Sequence, residues 1–197
     1  KCNLLDLPSN ARIGTSSPRR TAQLKAQIPN LDVLPIRGNI DTRIKKAIGD
    51  SYDGVILAAS GLIRLGLENN IAQYLPIEEF VPAAAQGAIA IETRRDNELA
   101  TSVANSINHI NSRQTVTAER AFLEILGGGC QEPSAAHAQV SGTDMVMFAF
   151  MSSQDGQRVF KTKTKGLASN PQKLAQDAHQ SLVDQGAHVL TARWSGN

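Results

Sequence analysis

The sequence predicts a two-part fold, a parallel α/β unit followed by a small α+β unit with a three-stranded antiparallel sheet. The first 80 residues alternate short apolar runs with helical stretches, which is the βαβαβ order of a parallel sheet covered by helices. After residue 110 the order changes to a helix, three strands joined by turns, and a last helix. The 197 residues and their 41% apolar fraction are sufficient for a buried core.

The elements of the first unit follow from apolar patterning and from residues that begin or end helices. The expected strands are 11–15, 32–37 and 52–59, and the expected helices are 18–28, 41–48 and 62–67. Ser17 is a preferred N-cap and Pro18 suits the first helical position. Asp41 is interpreted as a helix cap and Gly49 as a helix end. The third strand is almost wholly apolar, which is typical of a strand buried on both faces.

The rest of the chain reads as a hinge, a helix and the α+β unit. Residues 83–91 are interpreted as a hinge that runs into a strand, and 98–107 as a helix. The helix 117–126 has one apolar face, formed by Ala118, Ala121, Phe122 and Ile125. The remaining elements are strands 136–140, 145–151 and 158–165, a helix 171–185 and a short strand 188–191. We therefore expect an α/β anion-binding domain at 1–81, a hinge and return segment of a further domain at 82–109, and an α+β domain at 110–197.

Composition argues against several classes of protein. A net charge of +2 and an aromatic fraction of 4% argue against a nucleic-acid partner. The two cysteines form no metal-ligand spacing and no disulfide framework, so no metal is expected. The sequence has no apolar run of about 18 residues and no signal-peptide pattern, which predicts a cytoplasmic protein without a membrane partner. The chain begins at Lys1 without an initiator Met, so we expect a fragment.

Two strand-to-helix junctions carry arginines where helices ordinarily prefer acids. Arg19 and Arg20 lie in the first turn of one predicted helix, and Arg43 lies in the first turn of the next, after Arg37. A helix N-terminus carries partial positive charge and favours Asp or Glu by about 0.3–1 kcal/mol each. A bound anion would instead draw amides, hydroxyls and guanidinium groups together. Because both junctions lie at the carboxyl ends of parallel strands, an anion site is predicted there, with Arg64 on the same rim.

Cys130 follows three glycines at the end of a predicted helix. Glycines allow unusual dihedral angles and close approach of the backbone, so this thiol is expected to lie outside a packed core. No histidine stands in a glycine-flanked or strand-end motif, and His137 is interpreted as structural. A thiol without a base is better suited to be an attachment point than a turnover nucleophile.

These segments together resemble the porphobilinogen deaminase family. The resemblance covers nearly the whole chain, in order and spacing, and rests on these segments: 14–20, 36–39 with 42–43, 52–53 through 57–58 with 61–62 and 64–66, Pro82 with 86–87, 117–120 and 126–133. It implies a transferase that deaminates and condenses four porphobilinogen molecules into linear hydroxymethylbilane, in haem biosynthesis. The cofactor it implies is a dipyrromethane held by a thioether, which falls on Cys130.

The resemblance also implies the roles of the site residues. The groups that would bind cofactor and substrate carboxylates are Arg19, Arg20, Arg37, Arg43, Arg64, Thr15, Ser16 and Ser17, with Gly38, Ala58, Gly61 and Gln86 as further neighbours. No residue matches the family's catalytic aspartate, which lies in a first domain that this chain lacks, so the chain alone is expected to be inactive and to hold little or no cofactor. A cytoplasmic monomer is implied.

A binding module is the alternative hypothesis. One anion-binding lobe of a periplasmic-type two-lobed receptor shares the predicted βαβ layout. The absence of a signal peptide and the glycine-flanked Cys130 argue against it. Only the transferase hypothesis predicts covalent mass on the chain.

Overall fold

The computed structural model describes residues 2–49, 51–127 and 132–190 and contains two sheets. One is parallel with strand order β2-β1-β3, and the other is antiparallel with order β4-β5-β6. The first unit comprises β1 Arg12–Gly14, α1 Pro18–Gln27, β2 Asp32–Leu34, α2 Ile40–Ile48, β3 Gly54–Val55 and α3 Ala59–Arg64. A helix α4 Glu98–Ser106 follows. The second unit comprises α5 Ile110–Leu126, β4 Ser134–Ser141, β5 Asp144–Ser152, β6 Val159–Leu167 and α6 Pro171–Asp184. The predicted fold class is confirmed.

The helices of the first unit begin at side-chain caps. The Ser17 hydroxyl accepts a hydrogen bond from the Arg20 amide, and Pro18 is the first residue of α1, as the sequence predicts. Helix α2 differs from the prediction, because its cap is Asn39, whose Oδ1 accepts from the Thr42 amide at 2.9 Å. Asp41 lies in the first turn of α2 rather than at its cap.

Three predictions for the middle of the chain are wrong. β3 is only two residues long and half-buried, because it is an edge strand whose outer side lines a cavity. Helix α3 starts at Ala59 rather than Leu62. Residues 88–91 form no strand, since no strand among the described residues pairs with them.

Two predictions for the second unit are also wrong. Helix α5 begins at Ile110 rather than Thr117, with His109 as its N-cap, and Ile125 is 40% exposed instead of lying on the buried face. That face is formed by Ala118, Phe122 and Leu126. Residues 188–190 are helical rather than extended.

The antiparallel sheet forms two cores because its side chains alternate between faces. One face, with Met145 and Met147, packs with Phe122 of α5 and with Leu174 and Leu182 of α6. The other face packs against the first unit, where Phe148 and Phe150 contact Ala22 of α1 and Val81. The α+β unit thus holds the helix that carries Arg19 and Arg20.

Polar contacts reinforce this junction between the two units. The Gln23 amide exchanges two hydrogen bonds with the Val81 backbone, at 3.0 and 2.7 Å. On β6, Lys161 donates to the Glu79 carbonyl and Lys163 pairs with Glu78, both at 2.7 Å. None of the described helices is both long and apolar enough to cross a membrane.

Candidate anion-binding site

The segments predicted to bind an anion come together at the carboxyl edge of the parallel sheet. Residues 15–17 follow β1, residues 35–39 follow β2, and residues 56–58 follow β3. β1 lies in the centre, so the chain leaves it toward β2 and later crosses to β3 on the other side. This crossing point is where open parallel sheets bind ligands.

The hydroxyl groups after β1 shape the loop. Thr15 is buried, and its Oγ1 accepts from the Ser17 amide at 3.2 Å. The Ser16 hydroxyl donates to the Ile36 carbonyl at 2.8 Å and accepts from the Ile36 amide at 3.0 Å. Ser16 thereby ties the end of β1 to the end of β2, and Ser17 caps α1. These three hydroxyls fix the loop after β1. Together with the segments after β2 and β3, this loop forms the rim that carries the arginines.

Arg20 is a half-buried guanidinium on this rim. It donates to the Ile56 carbonyl at 2.8 Å and to Gln86 Oε1 at 3.4 Å. Burial lowers the pKa of Arg20 below its ordinary value, and the nearby charge of Arg43 lowers it further. Both causes mean that the positive charge is destabilised where it stands, so a bound anion would relieve the cost.

Arg43 and Arg37 flank a glycine that the loop after β2 requires. Arg43 Nε donates to the Gly38 carbonyl at 2.8 Å, and the Arg37 carbonyl accepts from Lys46 at 3.2 Å. Gly38 has φ +121°, and a Cβ there would lie 2.7 Å from the Thr42 side chain. Another residue would be strained in conformation and would also collide with α2. The Arg37 side chain is exposed.

Arg64 reaches the rim from the last turn of α3. Its Nη2 donates to the Gly87 carbonyl at 2.5 Å. Gln86, beside it, accepts from Arg20, so the turn 83–88 contacts two of the predicted arginines. Within the described parts of the chain, the oxygens bonded to Arg20, Arg43 and Arg64 belong to carbonyl and amide groups, and no carboxylate pairs with them.

A cavity of about 900 Å³ opens beside this rim. Arg19 and Arg20 line it together with Gln86, and its other wall is largely apolar, with Leu57, Leu75 and Phe80. The mixture of guanidinium groups and apolar surface suits an organic anion better than an inorganic one.

The remaining predicted neighbours have various positions. Ala58 is the N-cap residue of α3, and a Cβ at Gly61 would lie 2.6 Å from Ile40, so that glycine allows α3 to approach α2. Gly127 ends α5 with φ +61°. Cys130, predicted to carry the cofactor, lies outside the described residues.

The acids nearest in sequence to the rim have other partners or positions. Asp53 precedes β3, and its carboxylate accepts from the Arg12 amide at 2.7 Å and forms an ion pair with the Arg12 guanidinium at 3.1 Å. Asp41 is exposed on α2. In the described ranges, no group of three or more His, Cys, Asp and Glu side chains is arranged to hold a metal ion.

Sequence reasoning missed Glu119. This side chain is only 3% exposed and accepts backbone hydrogen bonds from Ala85 in the turn and from Ala138 in β4. The sequence contained a signal for it, because Glu119 lies three residues before the buried Phe122 on the same helix. An acid in such a position needs a partner, since acids are almost never fully buried unless they are paired.

Comparisons with known proteins identify the family of this chain. A family profile described as "Porphobilinogen deaminase, dipyromethane cofactor binding domain" matches residues 1–102, and the C-terminal domain profile of the same family matches residues 113–184. The chain belongs to the porphobilinogen deaminase family. A porphobilinogen deaminase of Geobacter metallireducens is 44% identical over 187 residues, which cover 95% of this chain and 59% of that protein.

Other family members give a similar picture. The porphobilinogen deaminase of Oceanobacillus iheyensis is 44% identical over 191 residues, covering 96% of this chain and 61% of its own length. That of a Roseiflexus species is 40% identical over 189 residues, covering 96% and 62%. The chain thus spans about three fifths of the length of these relatives.

Proposed function

We propose that this chain supplies the cofactor-binding and substrate-carboxylate-binding part of a porphobilinogen deaminase, which condenses four porphobilinogen molecules into linear hydroxymethylbilane. The observation that carries the proposal is the arginine rim at the carboxyl edge of the sheet. Arg20, Arg43 and Arg64 meet there with only neutral oxygens as bonded partners among the described residues. Each pyrrole ring of substrate and product carries two carboxylates, so a rim of guanidinium groups suits it.

The residues present fit a dipyrromethane cofactor. The donor set is guanidinium and amide N–H, which matches carboxylate acceptors. The glycine at 38 keeps the loop after β2 clear where a Cβ would collide. Arg19, Arg20, Arg37, Arg43 and Arg64 would hold the carboxylates, and Cys130 would form the thioether. When bound, the cofactor supplies the pyrrole carbon to which the growing chain is attached.

The chain's own residues then bind and orient the cofactor and the substrate. Bidentate contacts from Arg20 and its neighbours fix the direction of the carboxylates, and the apolar wall formed by Leu57, Leu75 and Phe80 excludes water from the rings. Exclusion of water strengthens each charge interaction within the site. Proton transfer needs a carboxylate, and we assign it to the family's catalytic aspartate, which we propose lies outside these 197 residues.

We also propose that residues 82–109 complete a domain whose other elements lie outside these 197 residues. Several large apolar side chains of this segment face solvent, including Ile89 at 74% and Leu99 at 78% exposed. Ile91, Val103 and Ile107 are exposed as well. The longer relatives have the additional length to cover them. The α/β domain would then be 1–81 and the α+β domain 110–197, and the cytoplasmic location and monomeric state stay predictions.

Calorimetric titration of porphobilinogen into the chain tests the proposal. We expect binding that weakens as salt rises, because dissolved ions screen the attraction between the guanidinium groups and the carboxylates of the ligand, with a Debye length that falls from about 10 Å at 0.1 M to about 3 Å at 1 M salt. A pyrrole of equal size without carboxylates is the control ligand and is expected not to bind. Equal binding of both ligands, or binding of neither, would refute the carboxylate site.

A further inference from the structure

Glu119 joins the α+β unit to the turn that contacts the arginine rim. Its side chain lies on α5 and is 3% exposed. One carboxylate oxygen accepts from the Ala85 amide at 2.5 Å, and the other accepts from the Ala138 amide of β4 at 2.8 Å. His137 Nδ1 lies 3.3 Å from that second oxygen, without the geometry of a hydrogen bond. Both oxygens are therefore occupied by backbone donors on different elements.

The turn that Glu119 holds has a strained backbone. Ala85 has φ +61°, and among the described residues it is the only non-glycine with positive φ. Such a conformation is costly for a residue with a Cβ and persists only where the surroundings impose it. In this structure the Ala85 amide donates its hydrogen bond to the buried Glu119 carboxylate.

The next two residues of the turn reach the rim. Gln86 accepts from Arg20 at 3.4 Å, and the Gly87 carbonyl accepts from Arg64 at 2.5 Å. Glu119 of α5 and two guanidinium groups of the other unit thus form hydrogen bonds with three consecutive residues of the same turn. The same α5 ends at Leu126, four residues before the proposed attachment cysteine.

We propose that Glu119 is a positioning residue that fixes the turn 83–88 and thereby orients Arg20 and Arg64 for carboxylate binding. This inference rests on the proposed function for its ligand. It assigns the buried acid to positioning rather than to catalysis, because both of its oxygens point at backbone amides.

Glu119→Gln is the informative variant. It keeps the size and shape of the side chain but leaves one accepting oxygen, so its NH₂ group must face one of the two backbone amides. Glu124→Gln is the matched control, since Glu124 is exposed on the same helix. Both variants are made in the whole 197-residue chain and compared at a temperature where melting curves show them folded.

Nuclear magnetic resonance of ¹⁵N-labelled protein measures directly whether the turn and the two arginines are affected. We expect the Ala85 amide to exchange with solvent about tenfold faster or more in Glu119→Gln, as for loss of a charge-assisted hydrogen bond. The side-chain signals of Arg20 and Arg64 should shift, and neither change should occur in Glu124→Gln. A general loss of stability would instead speed exchange throughout β5 and α6 and leave the arginine signals in place, which would overturn the inference.

Porphobilinogen titration separates this inference from the proposed function. If the wild-type chain binds, Glu119→Gln should raise Kd about tenfold, and an unchanged Kd would overturn the positioning role. If the wild-type chain does not bind, the proposed function fails, while the arginine signals still decide whether Glu119 positions them. If Glu119→Gln does not fold, hydrogen exchange of the Ala85 amide in the wild-type chain tests the inference. Exchange as fast as that of an exposed loop amide contradicts it, and protection similar to that of the Ala138 amide supports it.

Discussion

Replacing Arg20 by methionine should weaken ligand binding far more than folding. The wild-type side chain contributes one short hydrogen bond, to the Ile56 carbonyl at 2.8 Å, and a longer one to Gln86 at 3.4 Å. Against these bonds stand the burial of its charge and its repulsion from Arg43, which together lower its pKa. Methionine removes all of these contributions and keeps the apolar length of the side chain. We expect a net change in unfolding free energy within about 1 kcal/mol.

The effect on binding has no such compensation. A hydrogen bond between charged groups contributes about 1.5–3 kcal/mol. Its loss corresponds to an increase in Kd of about 10- to 150-fold. The predicted stability change corresponds to at most about 2–4 °C in Tm for a chain of this size.

Titration calorimetry with porphobilinogen and a thermal melt of the same samples measure the two effects. Arg113→Met is the control, because Arg113 is an exposed arginine on α5 that does not line the cavity. It should change neither Kd nor Tm. If Arg20→Met lowers Tm by 8 °C or more, which is about 2 kcal/mol or more, and leaves Kd unchanged, Arg20 is structural and the reasoning is wrong.

Three further predictions concern the rim and its surroundings. Gly38→Ala should destabilise the fold by more than about 1 kcal/mol in urea denaturation, because of the positive φ and the clash with Thr42; no loss would contradict this. Hydrogen bonds from Arg12 lower the pKa of Asp53 in the folded state, so its contribution to stability is present above the unfolded pKa of about 3.9 and is lost as pH falls through the lower folded value. Asp53→Asn should therefore be less stable than wild type at pH 7, and this difference should shrink as pH falls below about 3.9; a difference that does not change with pH would refute the pairing. The chain alone should not convert porphobilinogen at a measurable rate, since a positioned acid-base group contributes about 10²–10⁴-fold; turnover near that of a full-length relative would return the search to acids in this chain.

Neighbouring residues in the sequence were sufficient to predict helices whose first turn is fixed by those residues themselves. Ser17 with Pro18 predicted the start of α1 correctly, and the helix predicted to begin at residue 171 is α6, which begins at Pro171. The start of α5 was missed because its cap is His109, which is not among the usual N-cap residues.

Elements that depend on distant partners could not be predicted in this way. Residues 88–91 alternate alanine and isoleucine, yet an isolated segment has no neighbour to complete its hydrogen bonds. The apolar run around β3 predicts a strand buried on both faces, but its residues line a cavity at the edge of the sheet.

The predictions for the site divide in the same way, between local features and contacts of residues that are distant in the sequence. The arginines at the two junctions could be predicted because helix electrostatics makes cations unusual there. The links from Gln86 to Arg20 and from Glu119 to Ala85 join residues 66 and 34 positions apart, and no sequence spacing indicates them.

The covalent state of Cys130 tests the central claim most directly. A polypeptide of the relatives' full length that contains this chain should be produced, checked for activity, and analysed by intact mass and peptide mapping. The account predicts that the peptide with Cys130 carries the added mass of a dipyrromethane, and that replacing Cys130 by serine abolishes both the added mass and the activity. An active enzyme whose Cys130 is unmodified would contradict the account.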